Sequence, residues 1–467
     1  MKKILKSVAS IACAAMLTVA CTACFGEEKE IINAYDIAVK NGFVGTEEEW
    51  LESLKGANGK DAADITIQDA YEAAKASGYE GSFLDFVREF MNVDVQEDND
   101  TEMIAQNIMS VVSIYCGFST TSIGGGIWGG GSTSVYSSAG SGVIIDLNKE
   151  AGNALIVTNY HVIYDADCDT ATHISDSIYI YTYGALNKYS TATGKDEGGD
   201  GIQATFVGGA MDYDIAILKV EGSELLKNSA VNEAVIGNSE TVQVGEKVFA
   251  IGNPDGAGMA VTNGIISVES EYIAMTSTDG ANREVSYRVM RTDAAINHGN
   301  SGGALFNTSG ELIGITNAKN ASEDVDNMGY ALPITQVKYL CDNLLDNGGV
   351  VKRAMLGVMV KATASEAVFE NGRLNVYEEF IVDSTAIAPE SAAYNKLQFG
   401  DQFKAITIIH KGETEGETTT FARRYQLNDL LLTVRKGDKI ILKVIRDGLE
   451  IDVEIEYDKD SYFTQYK

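Results

Sequence analysis

From about Ile104 onward the chain is a succession of short apolar runs, each stopped within a few residues by Gly, Asn or Asp. "SVVSIYC", "GSGVIID", "ALIVTNYHV", "DIAILKV", "KVFAIGNP", "ELIGITNAK" and "YALPI" are long enough for strands and too short for packed helices. No long amphipathic stretch separates one run from the next, which argues against an alternating β–α architecture. What remains is a mainly β fold, closed into barrels or stacked as a sandwich. "TQVKYLCDNLLDNG" reads as a helix ending near Gly348. "GGGIWGGGSTSVYSSAGSG", over 124–142, has the composition of a loop.

A further segment starts at "RAMLGVMV" and spans 352–460, with strands in "EEFIVDS", "QFKAITII" and "DKIILKVIRDGLEIDVEIEY" and a helix in "RYQLNDLLLTV". Ahead of the β region lie two related units within 30–92. "AYDIAVKNGFVGTEEEWLESLK" begins at Ala34 and "AYEAAKASGYEGSFLDFVREFM" at Ala70, so that Tyr35 matches Tyr71, Gly42 matches Gly78 and Trp50 matches Phe86. Each reads as a helix, a glycine turn and a second helix capped by Thr46 or Ser82. The stretch over 93–103 is acidic and aperiodic and reads as a linker.

The first 24 residues form a signal segment: three lysines, an apolar stretch from Val8 to Ala20, then small residues beside cysteines. The residues leading into Cys21 and Cys24 resemble a bacterial lipoprotein processing site, in which one of these cysteines carries lipid. That places the chain outside the cytoplasm, at a bacterial cell surface or envelope. Lys and Arg total 36 against 67 Asp and Glu, so neither nucleic acid nor an anionic lipid surface is an expected partner. After the signal, only Cys116, Cys168 and Cys341 remain, too few and too scattered for a disulfide framework or a metal site. The acids of "DADCDT" and Asp176 lack glycine at Thr170, where a calcium loop needs its sharp turn. No metal and no cofactor are expected.

One stretch crowds small residues around a hydroxyl: "AINHGNSGGALFN", from Ala295 to Asn307. A serine hydroxyl is a weak nucleophile unless a base takes its proton and donors receive the oxyanion. The chain has four histidines. His161 closes the run "ALIVTNYHV", which fixes its direction at a strand end. His173 and His410 sit in polar surroundings, and His298 is too near Ser301 in the chain to approach it from the right side. The imidazole in turn needs an acid; Asp214, abutting the run "IAILKV", is preferred over Asp212. The order His161, Asp214, Ser301 in an all-β setting is that of the chymotrypsin-like double barrel.

"GSGVIID", "VTNYHVI", "YDIAILKV", "AIGNP", "TNGIIS", "TDAAINHGNSGGALFN", "LIGITNAK" and "NMGYALPI", in this order over roughly 105–345, resemble the HtrA branch of the trypsin-like serine proteases. The resemblance implies a protease domain over 104–348 in which Ser301 attacks a peptide carbonyl, His161 shuttles the proton and Asp214 orients His161. It also implies an oxyanion hole built from Gly299, Asn300 and Ser301, with the Gly299 and Ser301 amides as donors. Where the family usually carries proline on both sides of this core, the chain has His298 and Ala304, so a loop that orders only on binding substrate is an expectation.

The segment 352–460 resembles a PDZ domain, with Met355, Leu356, Gly357 and Val358 in the loop that takes a peptide's terminal carboxylate. Unfolded or damaged proteins and their C-terminal segments are the partners implied, and relatives often assemble as trimers. The competing reading is a non-catalytic chaperone or scaffold that binds peptides through its PDZ domain.

Overall fold

The runs in the first half of the β region become β1 (Val111–Ser122), β2 (Ser132–Asn148), β3 (Asn153–Thr158), β4 (Ser177–Tyr181), β5 (Tyr189–Ser190), β6 (Lys195–Asp196), β7 (Ile202–Ala210) and β8 (Ile215–Val220). In this computed structural model, which describes residues 100–122, 132–277, 279, 283–317 and 328–466 with the single positions 46 and 75, six of them close into a barrel. Its order is β1-β2-β3-β8-β7-β4, while β5 and β6 pair as a separate ribbon. Along β1, Val112, Ile114, Cys116 and Phe118 fall at period two and fill the interior with Ile144, Ile156, Ile178, Ile180 and Leu218. Their neighbours Val111, Val143, Val157 and Ile217 face the other way and join a second cluster with Ile251, Phe306, Ile315 and Leu340. One barrel is thus packed against the next through the outer faces of its strands.

The second barrel has β9 (Lys247–Gly252), β10 (Ala260–Thr276), β11 (Glu284–Thr292), β12 (Ala304–Asn307), β13 (Leu312–Asn317) and β14 (Gly329–Pro333), in the order β10-β11-β14-β13-β12-β9. Four helices accompany the pair: α1 (Asp100–Asn107), α2 (Tyr160–Ile163), α3 (Glu224–Asn228) and α4 (Ile334–Asp346). The protein is mainly β, as expected, and of the two closures considered the barrel is realised.

Two expectations are corrected. Residues 132–142 are strand, not loop: Thr133 to Val143 pair in register with Thr121 to Val111 of β1. The small residues there answer to packing, since a Cβ on Gly142 would stand 2.7 Å from the Ile156 side chain and 2.8 Å from that of Ile114. The acidic linker also ends sooner than 103, because Asp100 opens α1. Asp100 and Glu102 occupy the first helical turn, where the helix dipole favours anions, and Met103 is buried.

The C-terminal segment comprises β15 (Val351–Ala354), β16 (Val360–Glu370), β17 (Arg373–Val382), β18 (Gln402–Ile409), β19 (Glu417–Thr420), α5 (Tyr425–Leu430), β20 (Lys439–Arg446), β21 (Leu449–Glu456) and β22 (Phe463–Tyr466). The sheet order is β16-β17-β18-β20-β21, with β19 beside β18. β22 pairs with β15 and extends the folded segment past 460. The core of this segment gathers Phe380, Phe403, Leu427, Leu442 and Tyr457. The expected signal segment, lipid-bearing cysteines and helical repeats lie outside the described residues.

Candidate active site

β3 ends at Thr158, and the chain turns at once into α2, so His161 stands on a one-turn helix just beyond the strand end expected for it. Asp214 explains the turn. Its carbonyl accepts from the Asn159 side-chain amide at 2.9 Å and from the Tyr160 N–H at 3.2 Å. Its carboxylate accepts from the His161 N–H at 3.0 Å, lies 2.7 Å from His161 Nδ1, and accepts from Asn317 Nδ2 at 2.9 Å. Asp214 is fully buried, and its φ of 52° lies in the left-handed region that Asp tolerates better than most residues. A buried carboxylate needs donors, and here His161 and Asn317 supply them. With Nδ1 turned to the acid, Nε2 is the nitrogen left to take a proton.

Asp212, the other acid considered, is instead paired with Arg283. The remaining histidines are elsewhere. His173 occupies a left-handed turn with its ring against the Cys168 carbonyl, His410 meets Asp438 at 2.8 Å in the C-terminal segment, and His298 is exposed.

Ser301 is buried, in the turn that leads into β12 of the second barrel. Gly299 and Gly302 have φ of 88° and 82°, and both sit where a side chain has no room. A Cβ on Gly302 would come within 2.2 Å of the Ser141 carbonyl oxygen and 2.3 Å of Thr158 Oγ1. The Ser301 turn therefore packs on the residues just ahead of His161, and the two turns share the seam between the barrels. Asn300 needs a correction within the expected oxyanion hole: its N–H donates to the Asn297 carbonyl at 3.0 Å and is spent inside the turn. Among the described residues, nothing accepts from the Gly299 N–H.

The 355–358 loop links β15 to β16. Met355 N–H donates to the Tyr462 carbonyl at 2.8 Å, which takes it out of the set expected to bind a ligand. Among the described residues, the amides of Leu356, Gly357 and Val358 have no acceptor. Successive free amides of this kind form a concavity suited to an anion. β16 beside them pairs only with β17 among the described strands.

Sequence reasoning missed Asn159 and Asn317. Asn317 ends β13 like several other strand-ending asparagines, and only closure of the second barrel brings it to a carboxylate 103 positions away.

Residues 140–315, which hold His161, Asp214 and Ser301, match the family model described as a trypsin-like peptidase domain. The Bacillus subtilis (strain 168) serine protease Do-like HtrA is 31% identical over 326 residues, covering 69% of this chain and 64% of that protein. Serine protease Do-like HtrB of the same organism is 31% identical over 371 residues, covering 76% of this chain and 72% of its own length. The Escherichia coli (strain K12) periplasmic serine endoprotease DegP is 32% identical over 334 residues, covering 71% of this chain. The chain spans 60% of that DegP and 64% of the Bacillus HtrA. A solved structure, HtrA-type protease AlgW with decapeptide, aligns over 76% of this chain and 97% of its own at 23% identity, with a TM-score of 0.45. The chain belongs to the HtrA-type family of trypsin-like serine proteases.

Proposed function

We propose that this chain is an extracytoplasmic serine endopeptidase that hydrolyses peptide bonds of unfolded or damaged proteins, with residues 104–348 as its protease domain. The observation that carries the reading is the hold of buried Asp214 on both the ring and the main chain of His161. Ser301 Oγ attacks the substrate carbonyl carbon while His161 Nε2 takes its proton, and Asp214 stabilises the imidazolium that results. The developing oxyanion accepts from the Gly299 and Ser301 amides. Nε2 then returns the proton to the leaving amine, which departs and leaves an ester on Ser301. A water that gives its proton to His161 cleaves the ester, and Ser301 recovers its hydrogen.

Residues 352–460 act, on this reading, as a PDZ domain. The free amides of Leu356, Gly357 and Val358 receive the terminal carboxylate of a peptide, which adds as a strand along the open edge of β16. The signal segment at 1–24, with Cys21 or Cys24 acylated, anchors the chain at the bacterial cell envelope, and three copies assemble. A location outside the cytoplasm accords with the periplasmic relative.

A fluorophosphonate probe tests the core of this reading. Wild type should label and should cleave an unfolded protein, and Ser301→Ala should do neither while remaining folded. A folded wild type that takes no label would leave the peptide-binding scaffold as the better account.

A further inference from the structure

Five successive carbonyl oxygens in the Ser301 turn are each held by a donor. Asn297 O accepts from Asn300 N at 3.0 Å, His298 O from Asp255 N at 2.8 Å, and Ser301 O from Ser141 N at 2.8 Å. Gly299 O accepts from Ser141 Oγ at 2.7 Å. Asn300 O accepts from Thr316 Oγ1 at 2.6 Å and from Gly303 N at 2.9 Å.

In a planar trans peptide the C=O and the N–H that follows point in opposite directions. A donor fixed on one carbonyl therefore also aims the next amide. Asp255 on His298 O aims the Gly299 N–H, and Thr316 on Asn300 O aims the Ser301 N–H. Ser141 Oγ holds the peptide between them and also accepts from Asn253 N at 2.8 Å, tying the turn to the 253–255 segment that supplies the Asp255 amide. Ser141 and Thr316 are both fully buried, so water does not compete for their hydroxyls.

We propose that the hydroxyls of Thr316 and Ser141 are positioning groups before substrate arrives: Thr316 aims the Ser301 amide, and Ser141 fixes the Gly299–Asn300 peptide between the two donors and, through Asn253, the segment whose Asp255 amide aims that of Gly299. The assignment rests on the peptidase reading above. It also replaces the expectation of a loop that orders only with substrate: what flanking prolines would fix through φ, two hydroxyls fix through carbonyls. Neither hydroxyl touches substrate in this role. Thr316 acts through the Ser301 amide that it aims, and Ser141 through the peptide that it fixes between the two donor amides.

The test uses the full chain as wild type, Ser141→Ala, the near-isosteric Thr316→Val and the double variant. Turnover of a quenched peptide gives kcat and KM. Two ligands of the same sequence separate the effects: a peptidyl boronate, whose tetrahedral adduct fills the oxyanion site, and a reduced-amide peptide, which has no carbonyl oxygen there. Each single variant should lower kcat by about 10-fold or more, within the roughly 10²–10³-fold that losing an oxyanion donor costs. KM and reduced-amide affinity should stay within about 3-fold, while boronate affinity falls in step with kcat. Folded variants that keep wild-type kcat, or that lose both ligands equally, would overturn the inference. If Ser141→Ala fails to fold, Thr316→Val decides by the same criteria. A wild type that neither labels nor cleaves would overturn the peptidase reading and this inference together; an active wild type with unimpaired variants would overturn the inference alone.

Discussion

Arg288 of β11 and Asp429 of α5 meet at 2.7 Å, with both side chains shut away from water. The contact docks the C-terminal segment on the second barrel. Tyr425 covers the same guanidinium at 4.1 Å from its ring centre, Glu240 meets it at 3.1 Å, and Gln336 Nε2 donates to Asp429 at 2.8 Å. Burial pushes the Asp429 carboxyl up to about 6; Arg288 pulls it down, and Glu240 adds to the rise.

That shift sets a pH dependence. The folded value lies above the ordinary 3.8, so between about pH 4 and 6 the folded chain binds more protons than the unfolded one. The stabilisation from this group is full below that window and is lost as pH rises through it, by up to about 3 kcal/mol. Melting curves of wild type and Asp429→Asn from about pH 7 down to 4 should show wild type gaining on the variant. A constant difference, or one of opposite sign, would refute the assignment.

Asn317 should matter to rate more than to binding. Asn317→Leu removes the donor to Asp214 and should lower kcat by about 10-fold with KM little changed. Asp214→Asn should cost far more, about 10⁴-fold, because an amide cannot hold the His161 ring in the same tautomer. Steady-state kinetics of the two variants rank the effects; equal losses would contradict a supporting role for Asn317 beside a central one for Asp214.

Two glycines separate lack of space from backbone torsion. A Cβ on Gly208 would stand 2.2 Å from the Gly349 Cα, whereas Gly222 has φ of 62° and open space around it. Gly208→Ala forces the first barrel away from the chain that follows α4, and should cost about 2 kcal/mol or more. Gly222→Ala bears only the left-handed penalty, about 1 kcal/mol. Urea unfolding of both should preserve that order.

Cys116 and Cys341 should be inert in the native state. Burial pushes the Cys341 thiol up to about 12 and raises that of Cys116 as well. Iodoacetamide at neutral pH should leave both unmodified until denaturant is added, as mass spectrometry of the peptides would show. Rapid native labelling at either site would contradict the burial of Cys116 inside the first barrel and of Cys341 on the packed face of α4.

The strands were legible because short apolar runs such as the one over 110–116 need no partner to be read, whereas barrel against sandwich stayed open in those runs and was decided by pairing between strands distant in the chain. His161, Asp214 and Ser301 were selected from few candidates by what each must do chemically. The strand over 132–142 was hidden because Ser and Gly carry little β signal of their own, and pairing with β1 decides their state. Asp100 to Met103 looked like linker because acids that favour a helix start also favour disorder. Ser141 and Asn317 act across 158 and 103 positions, a distance that only tertiary closure spans.

His161 and Asp214 hang from the first barrel and Ser301 from the second, with Ser141 reaching across to the 299–301 turn. On the peptidase reading, parting the barrels would therefore disarm the chain while each half still kept its own strands. The same movement would bare the apolar seam of Val111, Val143, Ile251 and Phe306, so loss of the site and exposure of that seam are one event.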